Sequence, residues 1–173
     1  ELTHKNLCSQ IFAVSKFYRL NEQDIALSYL PLAHVFERMV MYFYLSCGLK
    51  IYFVDDLTKI ADLMKQVKPT VMTTVPRLLE KIQDKMFAKV AEAQGFKKRW
   101  ATNALNYAKS SQPIGWRGLK HYLRMLIYKP IYSKLVKATG GRIKIMLSGG
   151  APLAHDTYAF FLNIGVRLYQ AYG

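Results

Sequence analysis

Short apolar runs alternate with segments of helical periodicity along this chain, and this alternation restricts the fold more than any other feature. Runs rich in β-branched and other apolar residues predict five strands, at residues 25–32, 50–54, 70–75, 143–147 and 166–172. Because strands separated by helices usually pair in parallel through right-handed crossovers, we predict an α/β fold. Its sheet is expected to be open and mostly parallel, with about five strands and helices on both faces.

Apolar spacing predicts helices before the first strand and between the strands. The predicted ranges are 3–19, 35–46, 60–67, 77–94, 97–110, 119–138 and 155–163, with Thr3 as the first N-cap and Gly95 ending the fourth helix. Two consecutive helices precede the fourth strand, so residues 96–142 are expected to form a basic helical insertion. At 173 residues and 51% hydrophobic, the chain is expected to form a single domain, residues 1–173.

Positive charge is concentrated in the second half of the chain. The formal net charge is +14, and no Asp or Glu occurs between Ala93 and His155. Such a field attracts phosphates, nucleic acid or acidic lipid headgroups. One interpretation is a basic module, residues 96–144, that docks on anionic membrane, since aromatic residues interleave there with Lys and Arg: Trp100, Trp116, Tyr122 and Tyr128. The alternative is a solvated helix face, balanced by acidic surface elsewhere in a longer protein.

The cysteines and the lengths of the apolar segments indicate the cellular compartment of the protein. Cys8 and Cys47 have no metal-ligand spacing and are expected to pack as small apolar side chains, which fits a reducing compartment. The longest nearly uncharged stretch, residues 39–49, is shorter than the roughly 20 residues that a bilayer requires. No leader with a small-residue cleavage site opens the chain. A cytoplasmic location is therefore expected.

Polar and glycine-rich segments follow several predicted strands at the point where each strand ends. They are residues 31–34, 73–76, 148–152 and 172–173. The carboxyl ends of parallel strands share one edge, where open α/β sheets bind ligands. Gly149, Gly150 and Ala151 could present main-chain groups to a flat base, and Tyr172 could lay its ring against that base. The alternative is that Gly-Gly-Ala-Pro is only a tight strand-to-helix connection.

Three ionisable residues lie near the predicted end of the first strand. The His34 ring could contact a carboxylate or phosphate at the sheet edge, the alternative being a structural histidine. Glu37 and Arg38, one turn later, are expected to form a charge pair rather than acid–base machinery. The sequence contains no P-loop, zinc-ligand spacing, nucleophile elbow or nucleic-acid-binding signature, so no nucleic-acid partner is predicted.

Five motifs together carry a family resemblance that extends from one end of the chain to the other. They are LTHKN at 2–6, YLPLAHVFER at 29–38, VPRLLEK at 75–81, SGGAPL at 148–153 and YQAYG at 169–173. In this order and spacing they resemble the long-chain fatty acid CoA ligases of the AMP-forming adenylating superfamily. The chain resembles the middle of the large N-terminal domain of such an enzyme.

The resemblance implies that the parent protein activates a long-chain fatty acid with Mg-ATP as acyl-AMP and then transfers the acyl group to coenzyme A. It implies a catalytic position for His34, between the acyl and phosphate ends of the substrates, and an acyl channel lined by the helix that follows. It also implies two nucleotide-binding segments, one bordering the adenine and one ending in a tyrosine that stacks on it: Gly149, Gly150, Ala151 and Pro152, and Tyr169, Gln170, Ala171, Tyr172 and Gly173.

By the same resemblance, the phosphate-binding loop would precede Glu1, and the Thr-Glu pair that helps bind magnesium would follow Gly173. No metal ligand is therefore assigned within the chain, and the isolated chain is expected to have no ligase activity. If the chain is a fragment of a larger domain, the edge strands of its sheet lack their natural neighbours and could pair with another copy of the chain. A flavodoxin-like flavin or receiver domain is a further alternative, but no acidic cluster or phosphate-binding loop follows the first predicted strand.

Overall fold

The structure of the chain is a computed structural model that describes residues 2–115 and 117–171. The helices are α1 (His4–Phe17), α2 (Val35–Ser46), α3 (Ile60–Val67), α4 (Pro76–Ala91), α5 (Gly95–Ser110), α6 (Gly118–Ala138) and α7 (His155–Ile164). The strands are β1 (Ile25–Ser28), β2 (Lys50–Phe53), β3 (Val71–Thr74), β4 (Ile145–Ser148) and β5 (Leu168–Gln170). A short 3-10 turn, Leu57–Lys59, precedes α3.

The described strands form one sheet in the order β2-β1-β3-β4-β5, and every neighbouring pair is parallel. The predicted α/β fold with about five strands is therefore confirmed. From β1 the chain proceeds to β2 on one side, and it then crosses to β3 on the other side. The order of the strands thus reverses between β1 and β3, and a crevice for ligands is expected at the carboxyl ends of these two strands.

Alternate residues of each strand face opposite sides of the sheet and build two apolar cores. The larger core lies under α3, α4, α5, α6 and α7, and the strands contribute Leu27, Met72, Met146 and Leu168 to it. The smaller core lies under α1 and α2, and the strands contribute Ala26, Val71, Ile145 and Leu147 to it. Helices cover both faces of the sheet, as predicted.

Helix boundaries agree with the predicted ones to within a few residues. Thr3 caps α1 in a capping box, in which its hydroxyl accepts from the Asn6 amide and its own amide donates to the Asn6 side chain. The prediction for Gly95 is wrong, since this glycine begins α5 instead of ending α4. The reason is that α4 already ends at Ala91, and an extended Gln94 separates the two helices.

The strands are shorter than predicted. β1 ends at Ser28 rather than at residue 32, because the next residues turn out of the sheet and the His34 amide donates to the Pro31 carbonyl. β4 begins two residues later than predicted, where its residues come into register with Val71 to Thr74 of β3. Partner strands, which lie far away in the sequence, therefore decide where pairing starts and stops.

The basic helical segment contributes to the larger core. Ala104, Leu105 and Ala108 of α5 are fully buried. The Tyr132 hydroxyl of α6 donates to the Ala104 carbonyl at 2.8 Å, and the Asn163 side-chain amide of α7 donates to the Ala108 carbonyl at 2.9 Å. Helices α5 and α6 are thus packed into the domain through one face each.

The cysteines differ in environment, and both are free thiols. Cys47 is half-buried, whereas Cys8 is exposed, so the prediction that Cys8 packs as a small apolar side chain is wrong. Its position on α1, which has no fully buried residue, explains the exposure. Among the described helices, none combines the length and the apolar character needed to cross a membrane.

Candidate functional site at the carboxyl edge of the sheet

The carboxyl ends of β1, β3 and β4 carry small polar residues, all of them buried. Ser28, Thr74 and Ser148 end these three strands, and each is 2% exposed or less. Two main-chain hydrogen bonds continue the pairing beyond the strands, from the Gly149 amide to the Thr74 carbonyl and from the Ala171 amide to the Ser148 carbonyl. The connections that leave β4 and β5 are therefore each held against the last residue of the neighbouring strand.

Gly149 and Gly150 differ in what they can offer a ligand. Gly149 is buried, its amide is engaged by Thr74, and a Cβ built on it would lie 2.8 Å from Cζ of Phe36. Gly150 is exposed, its φ is +81°, and a Cβ built there would meet nothing within 4 Å. Gly150, with the exposed Ala151 and Pro152, is therefore the part of the predicted segment that faces open space.

His34 lies at the same edge as the glycines. It is the N-cap of α2, six residues after β1 ends, and its exposed side chain makes no capping hydrogen bond. Phe36, two residues later, packs against Gly149 at the end of β4. The structure thus brings the connection that holds His34 against the connection that holds Gly149, and their roles as ligand contacts stay predictions.

Glu37 is the residue of this edge that the sequence interpretation missed. It is fully buried, and its two carboxylate oxygens accept hydrogen bonds of 2.6 Å each, from the Ser28 hydroxyl and from the Thr73 hydroxyl. The predicted Glu37–Arg38 charge pair is wrong, because Arg38 points outward and donates from Nε to the Leu32 carbonyl. Glu37 therefore joins α2 to β1 and β3 at the place where the strand order reverses.

Burial dominates the electrostatics around Glu37. Loss of hydration raises the pKa of the Glu37 carboxyl above its ordinary value, although the hydrogen bonds from Ser28 and Thr73 lower it. Burial raises the pKa of the Tyr44 phenol, and the Glu37 carboxylate raises it further. A sequence signal for this buried cluster existed, since Glu37 falls between the inward-facing Phe36 and Val40, but it does not identify the partners.

Tyr29 ties the edges of β1 and β3 together. Its hydroxyl donates to the Thr74 hydroxyl at 2.9 Å and accepts from the Val75 amide at 3.2 Å. Burial raises the pKa of this phenol to about 12, so Tyr29 remains protonated near neutral pH. The Tyr29 side chain therefore fixes the start of α4 relative to the connection that carries His34.

The Tyr169 side chain lines a groove beside α1, whereas the next two residues are exposed at the end of β5. The Tyr169 ring, 43% exposed, meets Tyr18 edge-on with 5.6 Å between ring centroids. It lines an open groove of about 760 Å³ between the end of α1 and the strands, together with Phe17, Arg19 and Arg167. Gln170 and Ala171 are exposed at the end of β5. Tyr172 and Gly173, which were predicted to complete the adenine site, lie outside the described residues.

Comparisons with known proteins agree on one family. The sequence matches the AMP-binding enzymes over residues 1–173. It is 36% identical over 178 residues to long-chain-fatty-acid–CoA ligase 5 of Rattus norvegicus, an alignment that covers 99% of this chain and 25% of that protein. The chain thus spans about a quarter of the length of the curated relatives that it matches.

Solved structures show the same fold. The adenylation domain of a carboxylate reductase from Mycobacterium chelonae superposes with a TM-score of 0.62 at 19% identity, covering 87% of this chain and 20% of that one. The A domain of carboxylic acid reductase from Segniliparus rugosus, solved with AMP and a co-purified carboxylic acid, has a TM-score of 0.56 at 25% identity, with coverages of 87% and 20%. On its sequence match and its fold, the chain belongs to the family of AMP-binding enzymes.

Proposed function

We propose that this chain is part of a long-chain fatty acid–CoA ligase. In the proposed reaction, a fatty carboxylate attacks the α-phosphate of ATP, giving acyl-AMP and pyrophosphate. The thiol of coenzyme A then attacks the acyl carbon, loses its proton and displaces AMP. Activation is needed because a carboxylate is a poor electrophile, whereas AMP is a good leaving group. The identity of 36% to a fatty acid CoA ligase over 99% of the chain supports this proposal.

One structural observation carries the proposal furthest: Phe36 packs against Gly149, so the connections after β1 and β4 meet at one edge. In the proposed enzyme, the first connection holds His34 beside the reacting carboxylate and phosphate. The second brings Gly150, Ala151 and Pro152 to the adenine. This contact supports a site in which acid and nucleotide lie side by side, as transfer of the adenylyl group from ATP to the carboxylate requires.

The proposed nucleotide site is the open side of this edge. Around Gly150 the space is empty, and the exposed Ala151 and Pro152 offer a small, flat border to a purine. In the proposed enzyme, residues 169–173 form the second nucleotide-binding segment, and Tyr172 stacks on the adenine ring. Ser148, whose buried hydroxyl has no partner among the described groups, lies directly before the glycines.

Magnesium is proposed as a partner of ATP, held mainly by residues beyond this chain. Among the described residues, no three His, Cys, Asp or Glu side chains are grouped to hold a metal ion. When bound, magnesium would neutralise phosphate charge. The contribution of this chain is then to orient the nucleotide base and the carboxylic acid.

The test is an assay of the protein at its full natural length with ATP, magnesium, palmitate and coenzyme A. We expect palmitate-dependent exchange of pyrophosphate into ATP, and formation of acyl-CoA. His34→Ala should lower the rate of both by about 100-fold, the size typical of losing a positioned polar group. His4→Ala, which changes an exposed histidine on α1, serves as control. Unchanged rates for the His34 variant would contradict the assigned role. The isolated chain should show no acyl-CoA above blank.

A peripheral membrane contact, from an otherwise cytoplasmic location, is proposed as a second function. The observation in favour is the lack of any acidic residue between Ala93 and His155, in a chain whose net charge is +14. Trp116, one of the aromatic residues expected to take part, lies outside the described residues. The binding should weaken as salt is added, since an electrostatic contact is screened.

Self-association through sheet edges is also a proposal. Among the described strands, β2 and β5 each have one neighbour, and Tyr52 and Phe53 of β2 are about half exposed or more. An open edge strand of this kind can pair with another chain. Analytical ultracentrifugation at increasing protein concentration tests it, with a constant monomer mass as the contradicting result.

A further inference from the structure

Helix α6 exposes apolar side chains on the side directly opposite its core-facing side. His121, Met125, Tyr128 and Tyr132 face the domain at helical spacing, and they are buried or partly buried. The opposite side carries Leu119, Leu123, Leu126 and Ile127, which are 73%, 52%, 65% and 58% exposed. Leu123 lies three or four positions from each of the other three residues, and the four together define a stripe that we call the outer face of α6.

Basic side chains flank this outer face. At about 100° per residue, Lys120 and Arg124 fall along one border of the stripe and Lys129 falls along the other. The Arg124 guanidinium lies 5.2 Å from the centroid of the Tyr107 ring, which holds it beside the stripe. An apolar stripe with cations on both borders is a pattern found in helices that lie in a membrane interface.

The charge around the helix favours one kind of partner. No acidic residue occurs in α5, in α6 or in the segment that joins them, because none lies between Ala93 and His155. A surface of this kind repels basic partners and attracts anions. A soluble anion would not bury the four exposed aliphatic side chains of the outer face. The interface of an anionic bilayer can bury these side chains and bind the flanking cations at the same time.

We propose that the outer face of α6 is the surface through which this protein docks on anionic lipid bilayers. The leucines enter the boundary between headgroups and acyl chains, and Lys120, Arg124 and Lys129 contact lipid phosphates. The core-facing side of α6 stays packed in the domain, so docking needs no unfolding. The inference names the surface for the proposed membrane contact, and it does not depend on the ligase activity.

The experiment is co-sedimentation of the full-length protein with vesicles of phosphatidylcholine alone, or of equal molar phosphatidylcholine and phosphatidylserine. The double variant Leu123→Ser/Leu126→Ser should weaken binding to the anionic vesicles by about tenfold or more. Lys120→Gln/Lys129→Gln should weaken it by about fivefold for each lost charge. The matched controls are Leu45→Ser, at an exposed leucine of α2, and Lys5→Gln/Lys16→Gln on α1, and neither should change binding.

Four outcomes would contradict the proposal, and two of them correspond to a different occupant of the outer face. Binding that is absent from both vesicles removes the membrane contact as a whole. Binding that is present but equal in all variants assigns the contact to another surface. If a second copy covers the stripe, the leucine variant lowers the sedimenting mass and leaves vesicle binding unchanged. If another segment of the same protein covers it, the variant lowers the thermal midpoint without affecting vesicle binding.

Discussion

The Thr73 hydroxyl donates a hydrogen bond of 2.6 Å to Oε2 of Glu37, linking two buried residues that lie 36 positions apart in the sequence. Ser28 supplies an equally short bond to the other carboxylate oxygen. Such short bonds to a carboxylate are typical of charge-assisted hydrogen bonds. Glu37 thereby holds the first turn of α2, and with it the His34 connection, against β1 and β3.

Replacing Glu37 with an apolar residue should destabilise the fold strongly. Glu37→Leu leaves the Ser28 and Thr73 hydroxyls buried without their acceptor, which we expect to lower the free energy of unfolding by about 3 kcal/mol. Glu37→Gln keeps an acceptor and a donor for the two hydroxyls, so its loss should be about 1 kcal/mol. Urea unfolding measures both. Equal losses for the two variants would contradict the assigned network, and Glu80→Gln on the exposed side of α4 is the control.

The stability contributed by Glu37 should depend on pH. Burial raises the pKa of its carboxyl above the ordinary value of 4.5, so the folded state binds this proton more tightly than the unfolded state does. The contribution is then fully present below 4.5 and is lost as pH rises through the folded-state pKa. Unfolding free energies of the wild type and Glu37→Gln, measured from neutral pH down to the unfolded-state pKa, should diverge in favour of the wild type. A constant difference would contradict the raised pKa.

The opposite pH dependence is expected at the amino edge of the sheet, where Asp24 is fully buried and accepts from Lys144 Nζ at 2.6 Å. Burial raises the pKa of Asp24, but hydrogen bonds from Lys144, Thr70 and Asn21 together hold it below its ordinary value of 3.8. Lys144→Met should lower the unfolding free energy at neutral pH by about 1–3 kcal/mol, because it leaves the buried Asp24 carboxylate without its cation. The expected loss is not larger, because Lys144 is itself half exposed and solvent screens its charge.

This loss should shrink as pH falls from 3.8 through the folded-state pKa of Asp24, since a neutral carboxyl no longer needs the lysine. Lys59→Met is the matched control, because the side chains of Lys59 and its partner Asp56 are 69% and 37% exposed, so solvent screens this pair and little loss is expected. A Lys144→Met loss that persists unchanged into strong acid would mean that packing, rather than charge, accounts for it.

The contact between Phe36 and Gly149 should make the two positions energetically coupled. A Cβ at Gly149 would approach Cζ of Phe36 to 2.8 Å, so Gly149→Ala should destabilise the fold by about 1–3 kcal/mol through overpacking. Phe36→Leu shortens the side chain and should relieve part of that loss in the double variant. Thermal unfolding of the two single variants and the double variant measures the coupling. Strict additivity would contradict the contact.

Much of the fold followed from local patterns. Helix α2 was predicted with its observed bounds, and the ends of α3 agree as well, because apolar residues three and four apart report on one face of one helix. The edge that holds His34 and Gly149 could also be predicted, since parallel strands bring their carboxyl ends together whatever their order. The helix predictions need only residues that are close in sequence. The prediction of the shared edge needs only that the strands run parallel.

The partner of Glu37 could not be found in this way. A glutamate one turn into an amphipathic helix, next to Arg38, suggests a surface pair, and only the packing of α2 across β1 and β3 buries its carboxylate against Thr73. The outer face of α6 has the same origin, because its helix is apolar on two sides and the tertiary packing covers only one of them. Periodicity shows that a residue shares a face with its neighbours; the order of the strands and the packing of the helices decide what that face meets.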